Sequence, residues 1–159
     1  MERVLAELTK VGVGIIHNAP LWAAIIGWAT AQILKVIVTS IMEKKVNIGC
    51  LFASGGMPSS HSAFVTALCV VIGVTQGFDS QLFAIAAAFA LVVMYDACGV
   101  RRAVGEQAKV LNEIIKAMNE DSETGGHKAI KEILGHSPFQ VAMGWVVGLI
   151  IGIIFVSII

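Results

Sequence analysis

The sequence predicts an all-α, polytopic membrane helix bundle, and three observations lead there. Of its 159 residues, 57% are hydrophobic and 14% are charged, well under the roughly 25% charged residues of soluble domains. Mean hydropathy is +0.83. Four stretches, 20–42, 60–76, 80–98 and 138–158, are apolar over lengths that cross or nearly cross a hydrocarbon core about 30 Å thick. The length suits a single integral membrane domain spanning 1–159, and a formal net charge of zero argues against a nucleic-acid partner.

In chain order, residues 1–17 carry Val4, Leu5, Leu8, Val11 and Ile15 at helical spacing. That pattern predicts an amphipathic helix at the membrane interface, without the basic start or cleavage site of a signal peptide. The first span, 20–42, opens after Asn18 with Pro20 in a good first-turn position. The second, 60–76, and the third, 80–98 with Asp79 or Ser80 as cap, are joined so closely that they form a tight antiparallel pair. Residues 99–137 make a polar helical insertion. Val104, Ala108, Leu111, Ile115 and Met118 mark one face of it, and Glu106, Lys109, Glu113, Lys116 and Glu120 lie on the others. "EDSETGGH" breaks that helix, and "KAIKEIL" reads as a short helix ending at Gly135.

The fourth span, 138–158, carries Gly144, Gly148 and Gly152 at four-residue intervals. Small residues so spaced let helices approach closely in lipid, so packing is the first reading of these glycines, and the stripe also offers a surface for a homodimer. Cys50, Cys69 and Cys98 lack metal or disulfide spacing and read as small buried hydrophobes. Alternating spans place Lys44, Lys45, Arg101, Arg102, Lys109, Lys116, Lys128 and Lys131 on one side, against Arg3 and Lys10 on the other. By the positive-inside rule the polar side faces the cytoplasm.

The chemically distinctive residues all fall on that side. "GGMPSSHS", residues 55–62, sets two glycines, serines and His61 at the mouth of the second span. Ser59 or Ser60 can cap the helix. The glycines, the free N–H groups and the helix dipole together favour an anion. Lys35 lies inside the first span about two turns from this end, where a charge is either functional or snorkels to the interface. Arg101 and Arg102 follow the third span, and His136 precedes the fourth. Two histidines among cations suit phosphoryl transfer without metal: one imidazole attacks phosphorus and the other protonates the leaving oxygen. His17 and His127 look incidental.

"PSSH" (58–61), "HSPFQVAMGWVVG" (136–148) and "YDACGVRRAVGEQAKVLN" (95–112) give the chain a family resemblance. It resembles the divergent bacterial and plant branch of the type 2 phosphatidic acid phosphatase and vanadium haloperoxidase superfamily, from about residue 20 onward. The resemblance implies His136 as nucleophile and His61 as general acid. It also implies Lys35, Gly56, Ser59, Ser60, Arg101 and Arg102 around the phosphate. Four departures stand out. Ser60 replaces a glycine, the interval from Arg102 to His136 is filled by the insertion, and Lys44 and Lys45 are the nearest substitutes for an arginine-proline pair. Most consequential, Gln140 occupies the position of an aspartate that would orient the nucleophile and stabilise its cation. Loss of such a carboxylate costs about 10⁴ in rate in an analogous histidine relay. Asp96 or Glu106 is a candidate to supply the charge, and Asp96 could instead simply pair with an arginine.

The expected function is hydrolysis of a lipid phosphomonoester or diphosphate through a phosphohistidine, sensitive to vanadate and needing no cofactor or metal. The expected partners are the lipid phosphate substrate and the bilayer. The expected location is the bacterial cytoplasmic membrane, with the site facing the cytoplasm. The alternative is a non-catalytic binder or carrier of phospholipid or polyprenyl-phosphate head groups. A third reading makes His61, Asp96, Glu106 and His136 a metal-ligand set.

Overall fold

The computed structural model describes residues 1–46, 48–52, 55–120, 129–130 and 135–159. The described elements are α1 (Glu2–Ile16), α2 (Ala19–Glu43), a short 3₁₀ turn (Ile48–Phe52), α3 (Ser60–Gln76), α4 (Gln81–Cys98), α5 (Val100–Glu120) and α6 (Pro138–Val156). Local chemistry sets most of the boundaries. Asn18 caps α2 by accepting from Leu21 N at 3.1 Å, and Ser80 caps α4 by accepting from Phe83 N at 3.1 Å. Lys44 ends α2 in the left-handed conformation, with φ 52°.

Helices α2, α4 and α6 are long and apolar enough to cross a membrane, while α3 has 17 residues. At 1.5 Å per residue α3 reaches about 26 Å, short of a full hydrocarbon core. It is also the helix around which the bundle is built, since α2, α4 and α6 all pack on it. Ser60, Ser62, Ala63, Val65, Thr66, Ala67, Val71 and Gly73 of α3 are buried. Being wrapped by protein, it has little need to match the bilayer along its whole length. The chain is an integral membrane helical bundle.

Packing in the bundle runs through small residues. On α2, Ala23, Ala24, Gly27, Ala31 and Lys35 form the buried face. On α6 it is Gly144, Gly148 and Gly152, with Val141. The glycine stripe therefore serves close helix packing, the first reading of these residues, and is not left open as a homodimer surface. A Cβ at Gly144 would run into the Ser59 carbonyl and lie 2.9 Å from Ser62 Cβ. One at Gly148 would meet Thr66 Cβ at 2.7 Å, and one at Gly152 would meet Val70 Cβ at 2.8 Å. α3 already occupies the whole stripe, because lipid offers no hydrophobic drive between helices and close backbone contact supplies the attraction.

The two amphipathic helices are placed differently. In α1, Val4, Leu5, Leu8, Val11 and Ile15 are exposed. α5 follows α4 after the single residue Gly99 and buries Gly105 and Ala108. Of its expected apolar face, Val104, Leu111 and Met118 remain exposed. Of the short helix expected over 128–134, only 129–130 is described, and it is not helical. The Asn112 side chain holds it instead, donating to Ile130 O at 2.9 Å and accepting from Ile130 N at 2.7 Å. Lys128, Lys131 and His127 lie outside the described residues.

Candidate functional site

All four bundle helices present an end to one polar rim: the C-terminal ends of α2 and α4 and the N-terminal ends of α3 and α6. Two backbone bonds tie this rim together. Ser59 N donates to Gln140 O at 3.0 Å, joining the mouths of α3 and α6. His136 N donates to Ala97 O at 3.1 Å, fastening the segment before α6 to the last turn of α4. The rim thus brings His61 and His136, distant in sequence, into mutual electrostatic range.

Ser59, rather than Ser60, is the cap of α3. Its hydroxyl accepts from Ser62 N at 3.3 Å and from Ser62 Oγ at 3.0 Å. Ser59 has no exposed surface, so its hydroxyl is committed to shaping the helix mouth. Ser60 is buried too, whereas His61 is exposed. Gly56 has φ +95°, a conformation that L side chains rarely adopt, and a Cβ there would stand 3.2 Å from Lys35 Cγ and Cδ. Lys35 is 2% exposed, so it does not snorkel outward; its stem lies under the Gly56 turn. Its charge acts on both His61 and His136.

His136 is 3% exposed. Burial pushes its imidazole below the usual histidine range, as do the charges of Lys35 and His61; hydrogen bonds to Gln140 and the Gly56 backbone pull the other way. Gln140 does two jobs. Its Oε1 accepts from Ser137 N at 3.0 Å, while Ser137 Oγ accepts from Gln140 N at 3.3 Å, a complete capping box at the start of α6. The same Oε1 lies 3.3 Å from His136 Nδ1. Because that oxygen already accepts from a backbone N–H, Nδ1 is assigned as the donor to it.

The adjacent arginines diverge. Arg101 Nε pairs with Asp96 Oδ2 at 2.7 Å, and both charges act on His61. Arg102 Nε pairs with Glu106 Oε1 at 3.1 Å, one turn along α5. A cavity of about 380 Å³ opens beside this second pair, with Gly56, Glu106, Lys109, Ser137 and Gln140 in its wall. Neither His61 nor His136 lines it, although Gln140 and Gly56 of its wall both contact the His136 ring. The ligand set of the third reading does not assemble, since among the described residues no three of His, Cys, Asp and Glu converge.

Sequence reasoning missed Lys109 as a cavity residue, Gly135 as a contact and Asn112 as a clamp. A Cβ at Gly135 would collide with the Arg102 backbone, so glycine serves there to let the return strand of chain touch the start of α5. The Ser137-x-x-Gln140 box was readable locally, whereas Lys109 and Asn112 carry no local signal.

The comparisons with known proteins agree with this architecture. The model of the "Divergent PAP2 family" matches residues 16–151. "Uncharacterized membrane protein YuiD" of Bacillus subtilis (strain 168) is 37% identical over 150 residues, covering 88% of this chain and 95% of that protein. No solved structure matches the chain. With the match running from the approach to α2 well into α6, and so across the entire polar rim, the chain belongs to the divergent PAP2 family.

Proposed function

We infer that the protein is a lipid-phosphate phosphatase that transfers a phosphoryl group to water through a phosphohistidine, without metal. The observation that carries this reading is the His61–His136 pair at one rim, with the buried Lys35 charge acting on both rings. His136 Nε2 attacks phosphorus as the P–O bond to the lipid breaks, and His61 gives its proton to the departing lipid oxygen. Water, deprotonated by His61, then attacks the phosphohistidine, releasing phosphate and freeing His136. Lys35, Arg101 and the first N–H groups of α3 offset charge on the phosphoryl oxygens, with Ser59 and Ser60 shaping that helix mouth and Gly56 admitting close approach. Asp96 holds Arg101 in place, and Glu106 holds Arg102.

A lipid substrate fits the surroundings. An apolar groove of about 330 Å³ between α3, α4 and α6, lined by Phe83, Met94, Trp145 and Leu149 among others, supports entry from the bilayer with the hydrocarbon chain in that groove. Lys44, Lys45, Arg101, Arg102, Lys109 and Lys116 at the rim favour a cytoplasmic orientation. The test is phosphate release from a panel of lipid phosphates in detergent. His136→Ala should abolish it and vanadate should inhibit the wild-type protein; undiminished release by the variant rules the mechanism out.

One observation favours a second reading, a non-catalytic binder of lipid-phosphate head groups: the partner of His136 is the uncharged Gln140. Tight binding across the panel with no phosphate released would select it.

A further inference from the structure

Neither His61 nor His136 lines the α5 cavity beside Gln140, and its wall is rich in hydrogen-bond donors. Arg102 spends only Nε on Glu106, which leaves its two terminal nitrogens available. Lys109 forms no ion pair or hydrogen bond among the described residues. Ser137 Oγ accepts from Gln140 N and keeps its proton to give. Gln140 commits Oε1 to Ser137 and His136, and its amide nitrogen is unengaged by any described residue. Against these stands, among the described residues, one carboxylate, Glu106, already paired. Two cations against one carboxylate give the described part of the wall a net positive charge. Gly56, lacking a side chain, gives close access to the backbone on one flank.

We propose that this cavity is a second, water-side anion site, in which Lys109, Arg102, Ser137 and Gln140 bind a phosphate dianion distinct from the one held between His61 and His136. The donor set matches phosphate better than a single carboxylate, because donors arrive from both α5 and the start of α6 and can engage separate oxygens. With Glu106 drawing one face of Arg102, Lys109 carries the uncompensated charge and is the residue on which binding turns. Phosphate can come free from water, as the product of the proposed reaction, or attached to a lipid head group at the rim. The cavity is far larger than one phosphate, so the chemistry of the site accepts both.

The test avoids turnover altogether. The His61→Ala/His136→Ala double variant, in maltoside micelles free of phospholipid, is titrated with orthophosphate by calorimetry. One phosphate should still bind per chain. Adding Lys109→Gln should weaken it by about tenfold, the loss of one charge-assisted hydrogen bond, and Lys109→Arg should restore it. Lys109 is exposed, so these changes leave the fold intact, checked by circular dichroism. Short-chain phosphatidic acid, added as a competitor, separates the sources: displacement of orthophosphate assigns the site to head groups as well, and no displacement assigns it to free phosphate. Absence of binding in the double-histidine variant, or binding indifferent to Lys109→Gln, overturns the proposal. The hydrolase reading fails independently, on absence of phosphate release by the wild-type chain.

Discussion

The sharpest test of the site is to return a carboxylate to position 140. Gln140→Glu preserves length, so the new side chain can still accept from Ser137 N and from His136 Nδ1, now with a full negative charge. At the observed 3.3 Å the Coulomb attraction to an imidazolium is about 5 kcal/mol at an effective dielectric near 20. Position 140 is half-buried, and solvent screening cuts this to about 1.4–2.7 kcal/mol, or 1–2 pKa units. Burial first, then the neighbouring charges, holds His136 below the usual histidine range, so kcat/KM should rise through an acid limb centred below about pH 6.5. In the variant that limb moves up by about 1–2 units. The plateau rate should gain at least about tenfold, a fraction of the 10⁴ that a carboxylate contributes in an analogous relay. Stability has a definite sign as well. With the folded pKa depressed, the unfolded chain binds the proton more readily, so the wild-type protein loses stability as pH falls below about 6.5, and the variant loses less. The assay is phosphate release against pH with vanadate binding as a control. An acid limb that stays put in a variant still binding vanadate would refute the Nδ1–Gln140 assignment.

Lys35→Met keeps the buried volume while removing the charge under Gly56; vanadate should then inhibit about tenfold or more less tightly, with the unfolding temperature held or raised. Unchanged vanadate inhibition would remove Lys35 from the anion site. Gly144→Ala forces a methyl group against the Ser59 carbonyl and the Ser62 side chain, so it should destabilise the bundle by about 1–3 kcal/mol, read by thermal unfolding in detergent. An unaltered transition would argue against the close α3–α6 contact.

Much of this protein could be read from local sequence. Hydropathy and length are properties of a segment, so the apolar stretches and the amphipathic 1–17 and 99–120 regions were legible. So were the start of α2 after Asn18 and the start of α4 at Asp79 or Ser80, between which the structure selects Ser80. The paired histidines and the basic rim were legible as residue types on one side of the membrane.

Which faces meet was not. A span apolar all round has no polar stripe to mark its inner side, so the glycines of α6 announced close packing without saying that α3 of the same chain, and not a second copy, would be the partner. Tertiary contact also decided that Lys35 stays under the Gly56 turn, and that Arg101 serves the His61 side while Arg102 turns to the α5 cavity. Lys109 and Asn112 enter the picture only because the insertion folds back over the rim. The amino-acid order by itself determined what each segment is and which end of it is polar, since solvation and capping act over a few residues. Only the folded chain decided which side chains share a space, because backbone approach between remote glycines, alanines and serines depends on the fit of whole helices.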